Sequence, residues 1–101
     1  MGVLRVEVLP PLSMRLRLAD GPRAAEFTEE IRPGDTVLTA LRRLAERYPV
    51  MMGTVIDKRL EAVEPGVIVV VDGLRVTGER SLGRRLGDDA TMLVTAAVAG
   101  G

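Results

Sequence analysis

An α+β fold, a mixed β-sheet packed on one main helix, is what the sequence predicts, and three observations predict it. From Val37 to Tyr48 apolar residues recur at helical spacing, the pattern of an amphipathic helix of about three turns. Val67-Ile68-Val69-Val70-Val71 is an unbroken β-branched run, followed at once by the hairpin signal Asp72-Gly73. The element order reads strand, strand, helix, strand, strand and a last strand, within 101 residues, enough for one modest core. A first hairpin crossed by one helix, with the Val67–Val71 strand central, makes a β-grasp: a single domain over 1–101, with 95–101 as a flexible, protruding tail.

Each element has its own reason. Val3 to Leu9 alternates apolar and charged residues well enough for a strand. Pro10-Pro11 then interrupts any ladder, because proline donates no hydrogen bond. Ser13-Met14-Arg15-Leu16-Arg17-Leu18 also alternates, with Met14, Leu16 and Leu18 on one face. The residues leave open whether the first strand lies before the prolines, after them or bent across them. Asp20-Gly21-Pro22 is turn material, and Ala25–Ile31 returns as the second strand, burying Phe27 and Ile31.

Asp35 or Thr36 can accept a bond from the first free amides of the helix. Val37, Leu41, Leu44, Ala45 and Tyr48 form its apolar stripe, Arg42, Arg43, Glu46 and Arg47 its wet face, and Pro49 its end. Met51 to Gly66 is expected as irregular turns packed through Met51, Met52, Val55, Ile56 and Leu60. The Val67–Val71 run is expected to be buried on both faces. Leu74-Arg75-Val76-Thr77 returns from the hairpin, Ser81 to Leu86 forms a helical turn with Leu82 and Leu86 inward, and Gly87-Asp88-Asp89 leads into a last strand, Thr91–Ala96.

Composition excludes several function classes. The formal charge is zero, so no global field favours nucleic acid or an anionic membrane surface. Phe27 and Tyr48 are the only aromatics, which leaves little for base stacking. Cysteine and histidine are both absent, so thiolate chemistry is excluded and a metal or haem site has almost no ligands to draw on. The carboxylates Glu26, Glu29, Glu30, Asp88 and Asp89 read as solvated strand faces and turns. No cluster supplies acid, base and nucleophile, so the chain is not expected to be an enzyme on its own. With neither an apolar leader nor a stretch approaching about 18 apolar residues, the expected location is the cytoplasm.

The chemistry points instead to Thr95-Ala96-Ala97-Val98-Ala99-Gly100-Gly101. No side chain here is larger than Val, and the two glycines carry no Cβ, so this backbone reaches conformations closed to other residues. Such a tail can enter a channel too narrow for side chains and present an α-carboxylate at its tip. A carboxylate is a poor electrophile until activated, for example by adenylation, after which a sulfur or nitrogen nucleophile can attack it.

Four segments carry a resemblance. Leu44-Ala45-Glu46-Arg47-Tyr48-Pro49 resembles the "LAERYP" helix end of the MoaD family of ubiquitin-like sulfur carriers. Val69-Val70-Val71-Asp72-Gly73-Leu74-Arg75-Val76 is similar to its "V-N-G-x-x-V" hairpin, with Asp72 where Asn is common. Leu86-Gly87-Asp88-Asp89-Ala90-Thr91-Met92 resembles its "L-x-D-G-D-x-V" turn in altered form, and Val98-Ala99-Gly100-Gly101 matches its "VAGG" ending residue for residue. The family includes the small subunit of molybdopterin synthase, the thiamine-pathway carrier ThiS and carriers used in cysteine synthesis.

The resemblance implies a cycle. An E1-like enzyme of the MoeB or ThiF type adenylates the Gly101 carboxylate with ATP, sulfur replaces AMP to give a thiocarboxylate, and a sulfur-accepting enzyme, such as a MoaE-type large subunit, uses it. Gly101 is then the reacting residue, Gly100 and Ala99 the slim approach, and Val98 a shallow anchor. The chain itself binds no cofactor. Molybdenum-cofactor synthesis is the pathway this length and these motifs fit best, with cysteine or thiamine synthesis as alternatives. Members of the first kind commonly carry aromatic and proline residues before the ending, where this chain has Thr95-Ala96-Ala97, which bears on the identity of the partner.

A tail alone is too small to hold a partner, because a specific interface buries about 1,000 Å² or more. A sheet face carrying Leu74, Val76, Leu93 and Thr95 is the expected docking surface. Two other roles use the same fold. In a protein modifier Gly101 is joined to a lysine amine, and Lys58, the only lysine, is the one internal site for chain formation. In a plain interaction domain the tail is inert.

Overall fold

Alternation of apolar and polar side chains makes Gly2–Val8 the first strand, β1. Leu4, Val6 and Val8 turn inward, while Val3, Arg5 and Glu7 face away. The computed structural model describes residues 2–97. The first strand therefore lies before the prolines. Ser13–Leu18, expected to alternate across a strand, does not do so: Leu12–Arg15 forms a one-turn helix, α1. Leu12 and Leu16, four residues apart, are both buried, and Met14 is left 42% exposed. A strand would put Met14 on the same face as Leu12 and Leu16, whereas the helical turn buries the two leucines with Ser13 and turns Met14 outward. The Ser13 hydroxyl, also buried, is satisfied by donating to the Arg23 carbonyl at 2.7 Å.

The segment Ala25–Ile31 is β2, antiparallel to β1, with Phe27 opposite Val6 and Glu26 opposite Glu7. Ile31 is buried, and Phe27 packs half-buried against Tyr48 at a ring-centroid distance of 4.7 Å. The main helix, α2, spans Val37–Arg47. Its cap is Thr36, whose hydroxyl accepts from the Thr39 amide while the Thr39 hydroxyl accepts from the Thr36 amide at 2.8 Å. Val37, Ala40, Leu41, Leu44 and Ala45 bury the face that packs on the sheet.

After a 3-10 turn at Pro49–Met51, the irregular segment anchors itself through Met51, Val55 and Ile56, all buried, whereas Met52 is 45% exposed. Val67–Val71 is β3 and Leu74–Arg75 is β4, joined through Asp72-Gly73 with both residues at positive φ. A short helix, α3, spans Glu79–Leu82 and buries Leu82, with Leu86 packed partly buried nearby. The last strand, β5, spans Asp89–Ala96.

The sheet order is β2-β1-β5-β3-β4. The centre is therefore β5, parallel to β1 and antiparallel to β3, and not the Val67–Val71 strand. Burial agrees. Val69 and Val71 are fully buried on the helix side, but Ile68 and Val70 are only half-buried on the other side, which no helix covers. The β-branched run reflects strand propensity and one buried face, so its second face remains free.

Candidate functional site

The end of β5 is where the sequence leads one to expect the start of a functional tail. Thr95 and Ala96, expected in that tail, are strand residues paired with Ile68 and Val67. Ala97 follows the strand, and its amide donates to the Gly66 carbonyl at 2.7 Å. The last of the described residues is thus held at the side of β3, beside a glycine at φ +88°. Val98, Ala99, Gly100 and Gly101, the proposed approach and reacting residue, lie outside the described residues. From Ala97 the remaining residues can span at most about 14 Å when extended.

The four expected docking residues do not share a face. Paired residues on neighbouring strands point to the same side of a sheet. Leu93 pairs with Glu7 and Val70, and Thr95 with Ile68, which puts both on the open side. Met92 pairs with Val71, and Val71 with Leu74, so Leu74 points to the helix side, where it overhangs the hairpin tip 59% exposed. Val76 is core, 6% exposed, and its amide donates to the Val69 carbonyl.

The open face is organised in rows across the strands. One row reads Glu26, Glu7, Leu93, Val70, Arg75 from β2 to β4. The next reads Thr28, Arg5, Thr91, with Asp72 of the turn beyond: the Thr91 amide donates to Asp72 Oδ1 at 2.9 Å and the Asp72 amide to the Thr91 carbonyl. A hollow of about 620 Å³ lies over these rows, lined in part by Glu7, Glu26, Thr28, Val70 and Leu93. Along the first of these rows charge runs from acidic on β2 and β1, through apolar at the centre, to basic on β4, while Arg5 stands on β1 in the second.

The structure pairs charge on the opposite, helix-bearing side. Arg43, expected on a wet face, contacts Asp35 with Nη1 3.2 Å from Oδ1 and Nη2 2.5 Å from Oδ2, and Nη2 also donates to the Glu30 carbonyl. Glu29, expected to be solvated, is largely buried and pairs with Arg47 at 2.9 Å, while Arg47 Nη1 donates to the Thr28 carbonyl at 3.0 Å. Both carbonyls belong to β2, the sheet's edge strand, so the two helix arginines occupy acceptors that an added strand would need. The Arg43 guanidinium holds the Asp35 carboxyl down to about 2, assisted by the Arg32 amide and the Thr39 hydroxyl and opposed by burial. These groups serve the fold.

Sequence reasoning missed the row Glu26-Glu7-Leu93-Val70-Arg75. Its signal was present, since Arg5-Val6-Glu7 and Glu26-Phe27-Thr28 alternate about an inward residue, and the tight hairpin fixes Arg75 opposite Val70. Among the described residues no three His, Cys, Asp or Glu side chains gather as metal ligands, and no helix is long and apolar enough to cross a membrane.

Comparison with solved structures decides the fold. Small archaeal modifier protein 1 from Haloferax volcanii superposes with a TM-score of 0.73 at 18% identity, over 99% of this chain and 100% of that one. The fold is the ubiquitin-like β-grasp. The modifier protein 1 of Methanosarcina acetivorans gives 0.68 at 18% identity, over 100% and 98% of the two chains. A Pyrococcus furiosus protein provisionally described as molybdopterin converting factor, subunit 1, gives 0.67 at 16% identity, over 97% and 100%. No protein-family model matches the chain, and no curated protein matches it in sequence.

Proposed function

We propose that this protein is a ubiquitin-like sulfur carrier that acts through the carboxylate of Gly101. The observation that carries the reading is the placement of β5: the sheet's central strand, locked on both sides, leads into a slim Gly-Gly ending. A rigid β-grasp with such an extension delivers a backbone carboxylate where a folded surface cannot go. In the chemistry this reading requires, a carboxylate oxygen of Gly101 attacks the α-phosphorus of ATP in the partner's site and pyrophosphate leaves. Sulfide then attacks the acyl carbon, AMP departs with the bonding pair, and a thiocarboxylate remains. The partners are an E1-like adenylating enzyme and a sulfur-accepting enzyme. Molybdopterin synthesis is the favoured destination, supported by the likeness to the Pyrococcus protein. Leu93 and Thr95, on the open face of the strand that leads to the tail, are the docking residues retained in this proposal.

A second reading is favoured by the two archaeal modifier proteins among the structural neighbours: Gly101 is joined through the same acyl-adenylate to a lysine amine of a target. The two uses share the activation step and differ in the nucleophile.

The test is the intact mass of the protein after incubation with each E1-like enzyme of its organism, ATP and sulfide. The expected result is a gain equal to one oxygen replaced by sulfur, lost when Gly101 is deleted or one residue is appended after it. Adducts stable to reductant and hydroxylamine assign the modifier role. No mass change with any such enzyme leaves an interaction domain with an inert tail.

A further inference from the structure

We infer that the open sheet face is self-complementary and that a second copy of this chain binds it. The argument is the charge order of one row: Glu26 and Glu7, then Leu93 and Val70, then Arg75. Glu7 and Glu26 stand directly opposite each other, an arrangement of like charges that costs stability in an isolated sheet. Among the described residues neither carboxylate forms an ion pair or a side-chain hydrogen bond, although Arg5 lines the same hollow. Arg75 likewise forms no ion pair there. The close ion pairs all lie on the helix side.

A two-fold axis along the strand direction, placed between β5 and β3, turns this row onto its own reverse. Leu93 then meets Val70 of the copy, and Val70 meets Leu93. Arg75 of each copy reaches over β1 of the other, beside the hollow that Glu7 and Glu26 line. The same rotation carries Arg5, in the next row, toward the Asp72-Gly73 turn of the copy. Apolar contact at the centre and two symmetric sets of charge contacts are what an isologous interface requires. Sheets packed in this way keep their strands within about 30° of each other. Self-association covers Leu93, so it competes with any partner that docks there; the inference itself does not depend on the carrier reading.

Sedimentation equilibrium on the full chain, with Arg75→Glu and the double variant Glu7→Arg/Glu26→Arg, tests it. The wild type is expected to dimerise more weakly as salt rises. Each variant alone is expected to lose about tenfold or more in self-affinity. An equimolar mixture of the two is expected to pair again, since each then presents what the other lacks. Circular dichroism confirms that all three are folded, and the single variant Glu7→Gln provides a milder probe if the double variant is not. A wild type that stays monomeric at every concentration, or variants that dimerise unchanged, overturns the inference. A monomer whose Arg75→Glu variant loses only its E1-like enzyme assigns the face to that enzyme and overturns it too.

Discussion

Asp35 and Arg43 are joined at two points, Nη1 to Oδ1 at 3.2 Å and Nη2 to Oδ2 at 2.5 Å, and the pair ties the loop before α2 to the helix's second turn. The Asp35 side chain is 8% exposed, so the pair is only weakly screened by water. Its carboxyl is held down to about 2 from an ordinary 3.8, chiefly by the Arg43 hydrogen bonds. A depressed acid contributes stability above its unfolded pKa and loses it as pH falls through its folded one. The contribution is on the order of 2 kcal/mol, full above the ordinary value and gone below the depressed one. Urea unfolding should show Asp35→Asn less stable by about 2–3 kcal/mol near neutral pH, a gap that narrows toward about pH 2. A gap that stays constant with pH would show that Asp35 acts through shape alone.

Arg43 and Arg47 each cap a carbonyl of the edge strand β2, yet their removal should not cost the same. Arg43 is 17% exposed, and its loss leaves Asp35 buried and unpaired; Arg47 is 50% exposed and its pair with Glu29 is open to water on one side. Arg43→Ala is expected to cost about 3 kcal/mol and Arg47→Ala clearly less. Chemical denaturation of both variants checks the order, and equal costs would contradict it.

Leu93 and Val76 test which side of the sheet is free. Leu93 is half-buried on the open face, whereas Val76 is 6% exposed in the core. Leu93→Arg should leave the melting temperature within a few degrees and weaken complexes formed on that face. Val76→Arg buries an unpaired charge, a loss of several kcal/mol, and should unfold the domain. Thermal melts followed by circular dichroism separate the two cases.

Much of the fold was legible because it rests on strong local signals. The Thr36 cap, the apolar stripe of α2 and the Asp72-Gly73 turn each specify one geometry. Two expectations failed where local pattern competed with burial in three dimensions. Ser13–Leu18 alternates like a strand, but Leu12–Arg15 is a helical turn that buries Leu12, Ser13 and Leu16 and leaves Met14 outside. Val67–Val71 looked central because β-branched side chains suit strands on either face, and a run of valines does not tell which face a helix covers. The docking face was half-legible. Leu93 and Thr95 followed from strand parity, but placing Leu74 and Val76 on the opposite side required the hairpin register, which reverses the parity of the returning strand.

That hairpin carries the last prediction. Asp72 sits at φ +49° and Gly73 at +80°, both in the left-handed region, which Asp and Asn tolerate and β-branched residues do not. The Asp72 carboxylate also accepts the Thr91 amide at 2.9 Å, tying the turn to β5, so the residue sets both the backbone and its contact with the central strand. Asn keeps the conformational tolerance and an acceptor oxygen, so Asp72→Asn should stay within about 0.5 kcal/mol of the wild type. Asp72→Val loses both and should cost about 2–3 kcal/mol. If the acceptor matters more than the backbone, Asp72→Gly, which relieves the strain without replacing the oxygen, should fall between the two. Stability equal to that of Asp72→Asn would instead assign the whole effect to φ.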